Sequence, residues 1–215
     1  MRSRSRMAGA YLTLCLFAPL PLLAQSPTRD RTWFATVYAG QWFSGSAPTP
    51  GQTLGTQDAG FQDSYFVSAL LSRVLVRELK TELPLTGPLI DGSSIELEGQ
   101  IGHHFGLQDH AEVTLALLWR SRDFAMPLTN GRLNVAVGEG LSYALSRPAY
   151  EGIAHGQEPR KFLNYLTLEA EFSHSSLPGV SVVPRVHHRS GIFGVIAPRG
   201  SGSDFIGIGL RMTLQ

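Results

Sequence analysis

The chain has almost no cysteine. Among its 215 residues only Cys15 carries a thiol, and Cys15 lies inside an apolar run near the N-terminus. Without paired cysteines there are no disulfides, and without thiolates there is no cysteine nucleophile and no Cys-ligated zinc. The sequence therefore excludes these chemistries from the remainder of the chain.

Charge is also scarce. Charged residues make up 16% of the chain, against roughly 25% in typical soluble domains. The formal net charge is +1, and the basic residues are scattered rather than clustered, so we expect no nucleic-acid partner. The glycine-rich segment 198–204 lacks the strand-to-helix context of a phosphate-binding loop, and we expect no cofactor.

The N-terminal segment has the layout of a secretory signal peptide. Three arginines precede an apolar run over 7–23, and Ala24 offers a cleavage site. We predict a signal peptide over 1–24 and a single domain over 25–215. A retained membrane anchor is the alternative, but two prolines interrupt the run, which is shorter than the roughly 20 residues that a spanning helix needs.

Long apolar runs are absent after residue 24, so helical membrane spans are not expected. Alternation with a period of two recurs instead, which is typical of β-strands. We predict eight strands over 33–43, 64–77, 93–103, 111–120, 133–146, 162–173, 180–190 and 204–215. For the second of these, an amphipathic helix over 69–80 is the alternative.

The two faces of these strands indicate a transmembrane barrel. The apolar faces are almost free of charge, whereas the opposite faces carry acids and bases in balance. These are Glu96, Glu98, Glu112, Glu169, Glu171, Arg185, Arg189 and Arg211. Such charges can neutralise one another in a narrow lumen, which leaves the apolar faces to lipid. We predict an all-β, eight-stranded antiparallel up-and-down barrel in the cell outer membrane, with a soluble lipocalin-like binder as the alternative.

The C-terminus agrees with an outer-membrane location. Gly209, Met212 and Leu214 resemble the C-terminal signal by which such barrels are recognised, so the barrel-assembly machinery is an expected partner, although Gln215 replaces the usual aromatic. An even number of strands places both termini in the periplasm and the loop over 191–203 outside the cell. Whether the barrel forms a homodimer is left open.

Polar residues interrupt the apolar faces of the last two predicted strands. His188 and Ser190 end one face, and Asp204 begins the other. If the two strands form a hairpin, the three residues lie near its turn on the lipid side. They are the residue types of a serine hydrolase, and a hydrolase in this position is expected to act on a lipid.

His188-Arg189-Ser190 matches a His-x-Ser motif, and here the sequence resembles the lipid A 3-O-deacylase (PagL-type) family of eight-stranded outer-membrane barrels. The resemblance implies a serine esterase whose substrate is lipid A or lipopolysaccharide. It implies that Ser190 attacks an ester carbonyl, that His188 takes the serine proton, and that Asp204 orients the imidazole.

The chain departs from the family in two places. The family serine is commonly followed by Asn-Ala-Gly, whereas Gly191-Ile192-Phe193-Gly194 follows here, so the amides of Gly191 and Gly194 are the candidate oxyanion donors. The family acid is usually a glutamate, but none occurs after Glu171, which leaves Asp204 as the candidate acid.

Structural interpretations stand beside the catalytic one. His188 and Ser190 can be interfacial polar residues, and Asp204 a turn residue. The alternative function is then a non-catalytic outer-membrane barrel with a structural or adhesive role through its loops over 44–60 and 147–161.

Other polar residues are assigned to structure. His187 shares the lumen face with two arginines, which favours a hydrogen-bonding role. His103 and His104 are adjacent in a strand and point to opposite faces, so we expect no metal site there. We interpret Glu96 and Glu139 as lumen charges that form salt bridges.

The signal-peptide prediction is checked by N-terminal sequencing of the protein recovered from outer membranes. We expect a processed chain that begins near Gln25 and that changes its mobility on gels after heating, as folded barrels commonly do. Recovery of the full-length chain in the inner membrane contradicts both the signal peptide and the barrel.

Overall fold

The structure of the protein is a computed structural model that describes residues 33–44, 60–80, 90–127 and 129–214. The predicted signal peptide lies outside the described residues. The elements are β1 Trp33–Ser44, β2 Gly60–Leu79, β3 Ser93–Gly106, β4 His110–Arg120, β5 Phe124–Ala125, β6 Gly131–Ala144, α1 Ala149–His155, β7 Phe162–His174, β8 Val180–Ser190, a 3-10 turn Ile192–Gly194 and β9 Gly202–Leu214. Within these described ranges, no helix is long and apolar enough to cross a membrane.

Eight of the strands close into a ring. Sequence neighbours pair in antiparallel fashion from β1 to β4 and from β6 to β9, while β4 pairs with β6 and β9 with β1. The two-residue strand β5 adds to the edge of β6. The prediction of an eight-stranded up-and-down barrel is confirmed, with shifts of a few residues at strand ends.

The second strand is a strand throughout, so the alternative helix over 69–80 is wrong. β2 pairs with β1 from Tyr65 to Arg73 without a break, and it pairs with β3 on its other side. Its side chains alternate, with Phe66 and Leu70 buried and Val67 exposed. Up to Arg73 the strand is paired on both sides, and beyond it β2 continues against β3 alone, with two register shifts. These cross-strand backbone bonds outweigh the local helical pattern of the second half.

Apolar side chains cover the outside of the barrel. Ile101 and Ile208 are each 60% exposed, and Leu115 is 56% exposed. A closed ring leaves no strand edge unpaired, and an outer surface of this kind is what hydrocarbon accepts. The outward facing predicted for the apolar residues is confirmed, and the outer surface fits the predicted outer-membrane location.

The lumen holds the predicted charges in an ion-pair network. Arg120 binds three carboxylates at distances of 3.0, 2.6 and 2.9 Å. These belong to Glu96, Glu169 and Glu171. Arg185 bridges Glu98 and Glu169, and Arg211 binds Glu96 at 2.9 Å. The network links β3, β4, β7, β8 and β9 from the inside.

Aromatic side chains fill the lumen behind the start of β9. Phe66 is fully buried and stacks on His104 with ring centroids 4.2 Å apart. Phe205, also fully buried, lies 5.7 Å from Phe66 and 5.9 Å from Trp42. The wall formed by β8 and β9 is therefore packed from within at the level of Asp204, the neighbour of Phe205.

Glu139 was interpreted as a lumen charge, and that interpretation is wrong. It lies on the outer face of β6, exposed, between Val137 and Leu141. A period of two starting at Leu133 already leads to this face; the lumen assignment followed from charge alone. Glu96 does lie in the lumen, as expected.

Removal of Arg120 is expected to destabilise the barrel strongly. Arg120→Met removes the cation that three lumen carboxylates share. Breaking one buried ion pair in this way lowers the free energy of unfolding by about 3–5 kcal/mol. The matched control is Arg132→Met, because Arg132 is 68% exposed and lies 3.5 Å from Asp123, an arrangement that contributes below about 1 kcal/mol. Urea unfolding of both variants in micelles measures the difference, and equal losses contradict the role of the lumen network.

Candidate active site

The structure brings two of the predicted site residues into direct contact. His188 on β8 lies opposite Asp204 on β9 in the strand register. The His188 Nδ1 atom is 2.5 Å from Asp204 Oδ1, with side-chain exposures of 25% and 14%. Asp204 belongs to a strand and not to the turn. A carboxylate that accepts from Nδ1–H fixes the imidazole tautomer, so Nε2 is left to accept a proton.

Ser190 follows on the same outer face. It is the last residue of β8 and lies two positions after His188, which places the two Cα atoms about 6.6 Å apart along the strand. Ser190 is partly exposed. The three predicted residues therefore share the outward face at one end of the β8–β9 pair.

Arg189, the middle residue of the motif, anchors this end of β8 from inside the barrel. Its guanidinium donates to Ser142 Oγ at 2.8 Å and to Glu151 Oε1 at 2.6 Å. Glu151 belongs to α1 in the loop after β6, where burial raises the pKa of its carboxyl against the opposing effect of Arg189. Because Arg189 is held on the lumen side, His188 and Ser190 are fixed on the lipid side.

The chain turns sharply after Ser190. Gly191 lies so close to the returning loop that a Cβ atom there would approach the Ala197 carbonyl oxygen to 2.3 Å. The Gly194 amide donates to the Gly191 carbonyl at 3.3 Å and is thus engaged within the turn. The oxyanion role of Gly191 and Gly194 stays a prediction, and the engaged amide makes Gly194 the weaker of the two candidates.

Asn164 was not recognised from the sequence, and Glu139 was assigned to the lumen. Asn164 on β7 lies opposite Ser190 in register, and it is a diagonal neighbour of Glu139 on β6. Glu139 also interacts electrostatically with His188. A signal was present: Asn164 interrupts an otherwise apolar face that runs from Phe162 to Phe172, just as His188 and Ser190 interrupt theirs.

The outward polar residues occupy two adjacent rows across four strands. One row runs from Glu139 through Leu166 and His188 to Asp204. The row beside it pairs Asn164 with Ser190. Between them, these two rows hold every residue type that ester hydrolysis by a serine requires: a nucleophile, a base, an acid and a side-chain amide donor.

A second cluster lies in the lumen and has the residue types of a metal site. His104, His110 and Glu112 offer ligand atoms within 4.8 Å of one another. The two imidazoles are stacked, with centroids 4.2 Å apart and planes inclined by 14°. Because their in-plane lone pairs then run parallel, they do not converge on one ion. Glu112 is already bonded to His104 at 2.7 Å and to His187 at 3.1 Å, which is the hydrogen-bonding role expected for His187. His110 contributes to the cluster by stacking, since neither of its ring nitrogens has a hydrogen-bond partner among the described residues.

Comparison with known proteins gives fold-level similarity. No protein-family model matches the chain, and no curated protein matches it. Among solved structures, the outer membrane enzyme PagL is similar at 12% identity and a TM-score of 0.51, over 84% of this chain and 99% of PagL. The N-terminal barrel domain of Pseudomonas aeruginosa OprF shares 9% identity, with a TM-score of 0.46 over 86% of this chain and 100% of the domain. The attachment invasion locus protein Ail of Yersinia pestis shares 11% identity, with a TM-score of 0.21 over 86% and 100%.

The chain thus has the fold of the outer-membrane β-barrels, which confirms the predicted fold class. The likeness to PagL supports this fold; at 12% identity it does not extend to membership of that family.

The contact between His188 and Asp204 predicts a particular histidine tautomer. Nitrogen NMR of the protein in micelles is expected to show His188 protonated on Nδ1, and Asp204→Ala is expected to remove that preference. His103 is an internal reference, because it contacts Asp109 through Nε2 at 3.0 Å and is expected to favour the opposite tautomer. A His188 signal that Asp204→Ala leaves unchanged contradicts the contact.

Proposed function

We propose that the protein is an outer-membrane serine esterase that hydrolyses an acyl ester of lipid A in the outer leaflet. One observation carries this proposal. A histidine bonded to an aspartate lies beside a serine on the lipid-facing surface. Charged side chains are energetically costly there, so their presence points to a function.

The geometry suits acyl transfer. The Ser190 hydroxyl oxygen attacks the ester carbonyl, and its proton passes to His188 Nε2. Asp204 stabilises the imidazolium that forms. The tetrahedral intermediate collapses as the C–O bond to the sugar breaks, and the leaving alcohol takes the proton from His188. Water then hydrolyses the acyl-serine by the same route, which releases a fatty acid.

The position of the site supports a lipid substrate. The site lies at the end of the barrel opposite the N-terminus of β1 and the C-terminus of β9, which the even strand count assigns to the outside. Phe193 and Val195, in the adjoining loop, are 85% and 80% exposed, so apolar surface extends beyond the strand end. Lipid A is the ester-bearing lipid that the sequence resemblance implies.

The test compares two serines of one strand. Ser190→Ala is expected to abolish release of fatty acid from lipid A in mixed micelles, as followed by mass spectrometry, because the nucleophile is lost. Ser181→Ala is the matched control, because Ser181 faces the lumen near the other end of β8 and binds Glu171 at 2.6 Å. We expect this control to retain activity.

The triad assignment is tested by combining variants. His188→Ala is expected to inactivate as fully as Ser190→Ala, and the double variant to lose little more, since such residues act as a unit. Lipid A from cells with and without the gene is expected to differ by one acyl chain. Folded protein that hydrolyses neither lipid A nor simple esters contradicts the proposal and favours the non-catalytic barrel.

A further inference from the structure

An acyl-transfer site needs a hydrogen-bond donor for the oxyanion. The loop after Ser190 is poorly suited to supply this donor from its backbone amides. The Gly194 amide is engaged with the Gly191 carbonyl. Ile192 and Phe193 have positive φ angles of 47° and 51°, so the intervening backbone is wound into a tight turn. Of the two loop glycines this leaves the Gly191 amide, and a further donor is expected on the other side of Ser190, where β7 runs.

Asn164 is the residue of β7 that faces Ser190. The two are direct register partners on the outer face, and Cβ atoms of such partners lie about 4.5–5.5 Å apart. Asn164 is only 7% exposed although it faces outward. The Asn164 side chain is thus shielded from solvent, and it lies on the same face as Ser190 in the neighbouring strand.

Glu139 determines how this amide is oriented. Asn164 and Glu139 are diagonal neighbours on the outer face of the β6–β7 pair, a separation that long side chains can span. Because an ionised carboxylate only accepts hydrogen bonds, the amide nitrogen of Asn164, and not its oxygen, is the atom that can bond to Glu139. That nitrogen carries two N–H groups, so the second remains for an acceptor on the Ser190 side.

We propose that Asn164 is a further catalytic residue, whose Nδ2–H donates to the carbonyl oxygen as negative charge develops on it, and that Glu139 is the residue that positions this amide. The inference rests on the proposed esterase function. No proton is transferred by Asn164: the oxyanion accepts a hydrogen bond, and it loses that bond when the carbonyl re-forms.

The first test separates kcat from KM. Asn164→Ala is expected to lower kcat by about 10²–10³-fold with KM within about threefold, because an oxyanion donor acts in the transition state. Only heat-modifiable, folded protein is counted. If Asn164→Ala does not assemble, Asn164→Asp replaces it, because it keeps the side-chain size and removes the N–H donors, and the same loss of kcat is expected.

The second test concerns Glu139. Glu139→Gln keeps an oxygen that accepts from Asn164, and its kcat is expected to stay within about threefold. Glu139→Leu removes that acceptor and is expected to lower kcat about ten- to a hundredfold by misplacing the amide. Equal activity of these two variants contradicts the positioning role.

A fluorophosphonate probe gives a readout that needs no lipid A. Ser190 forms the O–P bond, fluoride leaves, the serine proton passes to His188, and the phosphonyl oxygen takes the place of the oxyanion. Asn164→Ala is expected to slow this labelling by a factor similar to its loss of kcat.

The outcomes distinguish the two proposals. Wild-type protein without Ser190-dependent hydrolysis or labelling overturns the esterase function, and this inference with it. Wild-type activity that depends on Ser190, combined with a kcat and labelling rate within about threefold for folded Asn164→Ala, overturns this inference alone and leaves the esterase standing.

Discussion

The structure depends on the mutual neutralisation of charges inside the barrel. Arg120, Arg185 and Arg211 are almost fully buried, and so are Glu96, Glu98 and Glu169. Any one of these charges alone would be strongly unfavourable in such a place, whereas each arginine here contacts at least one carboxylate and Arg120 contacts three. The network spans strands that are distant in sequence, so a slip of one residue in any strand would direct its charge into lipid. The lumen thereby fixes the register, and the register fixes which residues meet on the outside.

The strand β8 shows how the two sides of the wall are coupled. Three side chains of β8 point inward and are bonded to buried acids: Arg185, His187 and Arg189. His188, between the last two of these, and Ser190, after Arg189, point outward. The alternation of a β-strand means that anchoring one set fixes the other. The position of His188 opposite Asp204 is thus set mainly by the buried contacts of the inward-facing side chains of β8, and less by the loop that joins β8 to β9.

Much of this could be predicted from the sequence, because the relevant signal has a period of two. Alternation predicted the eight strands, the facing of their apolar residues and the position of His188 and Asp204 on one face near the same turn; the direct contact between these two depends on the β8–β9 register. It did not reveal α1 or the buried contact between Glu151 and Arg189, because loops carry no such periodicity. Neither could it place Asn164 beside Ser190, since that neighbour depends on the register between β7 and β8 and not on distance along the chain.

The misassignment of Glu139 shows where chemical expectation competes with geometry. An acid in a membrane strand is expected in the lumen because charge on the lipid side is unfavourable near the midplane, although by less for Asp and Glu than the about 2–4 kcal/mol of Arg and Lys. Glu139 nevertheless lies outside, and it does so beside Asn164 and within electrostatic reach of His188, in the same two rows as Ser190 and Asp204. Polar groups on an apolar face form hydrogen bonds with one another, which lowers the free-energy cost of placing them there. One such residue therefore makes a second polar residue beside it less unfavourable. Pairing alone, however, gives no reason for them to face lipid when replacement by leucine or valine would remove the cost altogether. The proposed esterase function supplies such a reason, because its substrate reaches these groups from the lipid side.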